Sequence, residues 1–194
     1  MNKKIYIFFT LLFISTAIFA QKKIGNKIYS YGDLENSING KTLIHYGVSD
    51  PEGEVKVIGR FKREWIDAIS WNKLFIPGYE YSDSEKNEAL NKNNIETIIL
   101  IKLNNISTAT QLTTTSLYSG WTDSFNTFGT TRNVIDNVGL VFEIYTKKDE
   151  FDKPLAVIIG NTKNIWGVGG SQVGLTLKVV ERVLSAMKKE KAFE

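Results

Sequence analysis

The stretch Thr97-Ile98-Ile99-Leu100-Ile101-Lys102-Leu103 decides the fold. Successive side chains of a strand point to opposite faces, so four large aliphatics in a row need cover on both. This predicts a central strand of a sheet. Upstream, Ser82-Asp83-Ser84-Glu85 has capping-box spacing and opens a short polar helix to about Asn91, which Asn93-Asn94 ends. Before it, Leu74–Tyr81 reads as a strand, and Pro77-Gly78 within it predicts an edge position.

Ser49-Asp50-Pro51-Glu52 reads as a helix start, with Ser49 and Glu52 at capping-box spacing and proline in the first turn. Steps of 100° put Val55, Ile58, Phe61, Trp65, Ile66 and Ile69 on one arc, opposite Arg60, Arg63, Glu64 and Asp67. That predicts an amphipathic helix of about five turns. A hairpin through Pro51–Gly53 is the rival reading, but the arc continues past Phe61. Thr42, Ile44, Tyr46 and Val48 alternate with Leu43, His45 and Gly47, as a strand does. Residues 21–40 are polar and glycine-spotted, which predicts a loosely held arm with a short strand at Lys27–Tyr31.

Downstream, residues 104–133 hold nine threonines and four serines, with Asp123 and Arg132 the sole charges. They read as a polar insertion between strands. Val138–Tyr145 and Leu155–Ile159 follow as strands joined by the charged turn Lys147–Pro154. In the closing segment Val173, Leu177, Val180, Leu184 and Met187 share an arc with Val179 and Val183, a final amphipathic helix. The order predicts an α/β (α+β) domain over residues 41–194: one mixed sheet of about five strands packed with about three helices, with a long Thr/Ser-rich insertion.

The composition, 194 residues with 42% hydrophobic and 23% charged, suits one globular domain. The chain has no cysteine, which excludes disulfides, thiol catalysis, zinc ribbons, iron–sulfur clusters and N-terminal cysteine lipidation. A single histidine, His45, excludes multi-histidine metal sites. Lys3 and Lys4, the apolar stretch Ile5–Phe19 and then Ala20 before Gln21-Lys22-Lys23 predict a signal peptide over residues 1–20, cut after Ala20. Loss of Lys3 and Lys4 lowers the formal charge of +3 to a near-neutral value, which points away from nucleic acid. No later segment reaches membrane-spanning length, so the expectation is an exported protein, periplasmic or extracellular.

Candidate sites are few. Gly167-Val168-Gly169-Gly170-Ser171-Gln172-Val173-Gly174-Leu175-Thr176 has two glycines and a terminal threonine at phosphate-loop spacing. Gly169, Gly170, Ser171 and Gly174 are therefore weak anion-site candidates, but Leu175 stands where the lysine belongs, so a plain strand-to-helix connection is the better reading. His45 could act as a general base but has no identifiable partner, so a hydrogen-bonded structural histidine is the better reading. Glu143 lies inside an apolar strand and could do acid–base work, but its alternation with Val141 and Tyr145, opposite Leu140, Phe142 and Ile144, better suits a partly solvent-exposed face. Asp149, Glu150 and Asp152 could gather calcium, but the surrounding lysines suit a solvated turn. Leu117, Trp121, Phe125 and Phe128 recur at helical spacings of four, four and three, a possible partner surface in the insertion. No catalytic residue, cofactor or metal is expected.

The run Ala89-Leu90-Asn91-Lys92-Asn93-Asn94-Ile95-Glu96-Thr97 leading into Ile98–Leu103 resembles the helix–NNID–strand step of small bacterial envelope-lipoprotein-like proteins. Their α/β domain is similar to the TolB N-terminal domain and to the curli-secretion lipoprotein. The resemblance spans roughly residues 41–193 and implies an exported, mostly non-enzymatic protein that works with envelope or outer-membrane machinery. The absent cysteine departs from lipidated relatives. Three functions follow as expectations: an envelope accessory or interaction protein using a sheet edge and residues 104–133, a small-ligand or anion binder at Gly167–Gly174, and a carboxylate-dependent hydrolase of extracellular polymer including Glu143. The leader makes one direct test. Mass spectrometry of the exported product should find Gln21 at the N-terminus, and a mass that retains Met1 would show an uncut anchor instead.

Overall fold

The computed structural model describes residues 21–47, 50–119, 124–163 and 171–193, with backbone alone for 108–119, 124–136 and 163. Its strands are β1 Lys22–Gly25, β2 Ile28–Gly32, β3 Lys41–Tyr46, β4 Ala68–Ser70, β5 Ile95–Ser119, β6 Ser124–Thr146 and β7 Ala156–Lys163. They form one mixed sheet in the order β1-β2-β7-β6-β5-β3-β4. β3 runs parallel to β4 and β5, and the other neighbours are antiparallel. Four helices are present among the described residues: α1 Pro51–Arg63, α2 Trp71–Leu74, α3 Asp83–Lys92 and α4 Gln172–Lys189. The class is α/β, with seven strands where about five were expected.

β5 lies between β6 and β3, and its aliphatic run feeds two cores. Ile99 and Ile101 join Ile44, Phe142, Ile144, Val57, Phe61 and the buried stripe of α4 on one face. Ile98 joins Leu43, Phe75, Leu90 and Ile95 in a smaller core under α2 and α3 on the other. Complete burial of one such isoleucine stabilises the fold by roughly 2 kcal/mol. α4 sits close to the sheet at Gly160, where a Cβ would lie 2.7 Å from Val183 and 2.9 Å from Val179.

Three expectations need correction. The arm is not loose: β1 and β2 belong to the sheet, β2 pairs with β7, and Leu34 and Ile38 are in the core. Its backbone is tied to the C-terminal segment through Asn36 N–H to Lys191 O and Ile38 N–H to Ala192 O. The short strand expected at Lys27–Tyr31 is β2, and what the local sequence did not show is its partner β7, more than a hundred residues away. Leu74–Tyr81 forms no strand; α2 occupies its start, and edge pairing passes to β4, with Ile69 in that strand. Of the stretch 104–133, residues 104–119 and 124–133 are the outer parts of β5 and β6, so Leu117, Phe125 and Phe128 lie on strands and not on a helix.

The first long helix also ends early. Its cap is Asp50, whose carboxylate accepts from Gly53 N–H, while Ser49 lies outside the described residues. Its buried residues are Gly53, Glu54, Val57 and Phe61, and Val55, expected inside, is exposed. At the other end Trp65 N–H reaches Lys62 O and Ile66 N–H reaches Phe61 O, which is the Schellman pattern. The residue that turns the chain is Trp65, at φ 66° and 90% exposed, where glycine is the natural choice. Among the sequence predictions that hold are the central strand through Thr97–Leu103, the strand over Thr42–Tyr46, the capping box of Ser82 and Glu85, the β6–β7 hairpin and the amphipathic α4. Trp65→Gly should raise unfolding stability by about 1 kcal/mol, because it relieves the left-handed strain and gives up little buried area. A denaturant midpoint below that of the parent protein would refute this.

Candidate functional site

Two features stand out: a half-open sheet face and the ribbon that extends from it. On the face opposite α1 and α4, α2 and α3 cover only the β3–β4–β5 side of the sheet. Over β2, β7 and β6 no described helix packs on that face. One cross-strand row there reads Tyr31, Val157, Glu143, Leu100 and His45, and the next Tyr29, Ile159, Val141 and Lys102. All of these except the exposed Lys102 are half-buried. The outward positions of an antiparallel sheet are usually polar, so this mostly apolar pair of rows is a surface suited to contact.

Glu143 is at the centre of this face. Both its oxygens accept from Lys102 Nζ at 2.7 Å, and one accepts from the Tyr145 hydroxyl at 2.9 Å. Its predicted alternation with Val141 and Tyr145 against Leu140, Phe142 and Ile144 is observed. Burial, then the hydrogen bond and charge of Glu143, push the Tyr145 hydroxyl up to about 12. Glu143 thus makes three contacts with two partners, an ion pair with Lys102 and a hydrogen bond from Tyr145.

His45 shares the row but is two strands from Glu143, about 10 Å at the usual strand spacing. Its ring meets Trp71 edge-on at 5.2 Å. Desolvation lowers its pKa below the usual value, opposed by the charge of Glu54. Neutral imidazole is therefore the folded form at neutral pH. The sequence reading missed Glu54. It sits on the buried stripe of α1 with Val57 and Phe61, an acid at i, i+3, i+7 spacing that could have been flagged. Its carboxylate accepts from Ser70 Oγ and from Asn72 Nδ2, which locks α1 to β4 and α2. Ser70 Oγ thus donates to Glu54 and accepts from Asn72 N–H as the cap of α2.

The glycine-rich candidates divide. Gly169 and Gly170 lie outside the described residues. Ser171 caps α4 by accepting from Gly174 N–H at 3.1 Å, a structural role for both. Asp149 accepts from Thr146 Oγ1, and no group of three or more potential metal-ligating side chains gathers among the described residues.

The ribbon is the other feature. The last β3 partner of β5 is Ile101, and the last β6 residue paired with β7 is Asn137. From Thr108↔Ile135 to Ser119↔Ser124, twelve residue pairs join β5 to β6 with no third strand among the described residues. The partner-surface candidates fall here: Leu117 pairs with Asn126, Phe125 with Tyr118 and Phe128 with Thr115, while Trp121 lies outside the described residues. No described helix is long and apolar enough to cross a membrane.

Glu143→Gln should lower the Tyr145 pKa from about 12 but not restore the ordinary value, because the charge that opposes tyrosinate is gone while burial, the largest cause, remains. An ultraviolet titration of tyrosinate checks it, with Tyr145→Phe to assign the signal. An unmoved titration would disprove the pairing.

No protein-family model matches the chain, and no curated protein matches it. Solved structures do. A variant of PelC from Paraburkholderia phytofirmans, described as a dodecamer, aligns over 84% of this chain and 98% of its own at 11% identity and a TM-score of 0.50. A second PelC dodecamer from the same organism aligns over 82% and 95% at 10% identity and a TM-score of 0.46. At these identities the chain is similar to PelC in fold alone.

Proposed function

We propose that this chain is an exported, non-enzymatic subunit of a cell-envelope assembly that associates with copies of itself through the β5–β6 ribbon. The ribbons of several copies close into a β-barrel within a bilayer. The observation that carries this reading is the twelve-pair ribbon with both outer edges unpaired among the described residues. A lone two-stranded ribbon is marginal in water, and natural edges are usually guarded by lysine or proline. Residues 104–131 contain neither, and Asp123 is their sole charge. Twelve residues at strand rise span about 40 Å, or about 28 Å at the tilt of barrel strands, close to the hydrocarbon thickness of a bilayer. Open edges are not tolerated in lipid, so neighbouring copies must pair them. The leader pattern and the envelope-family resemblance favour the same compartment. PelC, itself described as a dodecamer, supplies a precedent, at the level of fold, for assembly of many copies.

The comparison of the full chain with a variant that lacks residues 108–135 tests the proposal. In detergent the full chain should run as a high-order oligomer and should release dye from phosphatidylcholine–phosphatidylglycerol vesicles. The shortened variant should stay folded, monomeric and inactive in release. A full chain that remains monomeric and leaves vesicles sealed would overturn it.

A further inference from the structure

A cleft of about 740 Å³ lies between α3 and the turn that joins β6 to β7. Trp71, Leu90, Ile98 and Phe151 provide its apolar lining. Asp83, Lys86 and Asn87, one face of α3 by their i, i+3, i+4 spacing, stand on one side. Lys148, Asp149, Glu150 and Asp152 stand on the other. A second cleft of about 590 Å³ shares Trp71 and Lys86 and adds Tyr79 and Tyr81. The rings continue through it: Trp71 stacks obliquely on Phe75 at 4.3 Å, Phe75 meets Tyr81 at 5.2 Å, and Tyr81 meets Tyr79 at 4.6 Å. Tyr79 is 58% exposed. Core packing alone does not require so exposed a ring at the end of such a series.

Phe151 is held at a cost. Glu150 and Phe151 both have φ near +55°, two successive non-glycine residues in the left-handed region. Both conformations are strained for residues that carry a Cβ, and strain of this kind gathers at ligand clamps. The turn keeps Phe151 half-buried against the small core at the cleft.

We propose that this cleft binds an oligosaccharide of neutral hexose or N-acetylhexosamine units. A pyranose presents a C–H face and a rim of hydroxyls. The C–H face stacks on aromatic rings, and the hydroxyls take carboxylates, amides and ammonium groups as partners, which is the composition of this cleft. Four acids against two lysines on its walls disfavour phosphate and uronate ligands. A peptide has no strand edge to extend here, because a helix and a tight turn form the walls, and no basic cluster or continuous apolar groove to read it. The site does not depend on ribbon assembly.

Calorimetric titration of the full chain with cellohexaose and with the hexamer of N-acetylglucosamine tests the proposal, with polygalacturonate as the acidic control. At least one neutral hexamer should bind saturably, and polygalacturonate should not. Phe151→Gly, which removes the ring and the left-handed strain together, should weaken binding by about tenfold or more. Asn87→Ala, on the exposed face of α3, should weaken it by about fivefold without altering the unfolding midpoint. A ring needed only for packing would leave the affinity unchanged. No heat with either hexamer at millimolar concentration, affinity unmoved in both variants, or a peptide competing for the cleft in place of the sugars would each overturn the proposal.

Discussion

The rest of the structure depends on the burial of β5 on both faces. Ile99 and Ile101 cannot be hidden without a layer on one side, nor Ile98 without one on the other. The chain meets the two demands unequally. α4, with eight buried residues, and α1 form one thick layer, joined by the Arg60–Glu181 ion pair at 2.6 Å. The opposite layer is thin: α2 is one turn long, and α3 buries only Leu90. That layer protects the strands nearest β5 and stops. The half-open face over β2, β7 and β6 follows from this asymmetry, and so does the position of both candidate surfaces.

The parts legible in the sequence are those where one local signal fixed one outcome. Four consecutive aliphatics admit only double burial, and Ser82 with Glu85 satisfies both halves of its cap without tertiary help. The end of α1 was illegible because its stop signal is missing. A glycine at residue 65 would have marked the Schellman turn, whereas Trp65 continues an apolar arc and masks it. Ile66 then returns to the core as the partner of Phe61, not as a further helical position. The same masking moved Ile69 from β4 into an imagined fifth turn.

The ribbon was missed for a different reason. Strand prediction rests on alternation or on buried runs, and residues 104–133 show neither. Their threonines favour extended backbone, but Leu112, Leu117, Phe125 and Phe128 are too widely scattered among them to keep a period of two. β2 was half seen, since Lys27–Tyr31 was placed as a strand while its long-range pairing with β7 lies outside any local pattern. Among the sites, Glu143 was recognisable as an acid in an apolar strand. Lys102, which neutralises it, depends on register across two strands, whereas Tyr145, which donates to it, is its i+2 neighbour on the same face of β6.

The boundary between body and ribbon has its own chemistry. On the half-open face the row after Lys102 and Val141 consists of Asn105, Gly139 and Asn161. A Cβ on Gly139 would collide with the amide oxygens of both asparagines, so glycine lets two polar side chains close over the strand between them. β5 also slips register beside this row, between Leu103 and Asn105, and again between Ser107 and Thr108. Such irregularities bend and twist a strand. The apolar rows that anchor the body end here on this face, and β5 and β6 leave them with no shared core. Packing within the body therefore cannot set the stability of the ribbon. Among the described residues it has only its own ladder, which is marginal in water for a two-stranded element, so its stability has to come from contacts outside the body's two cores.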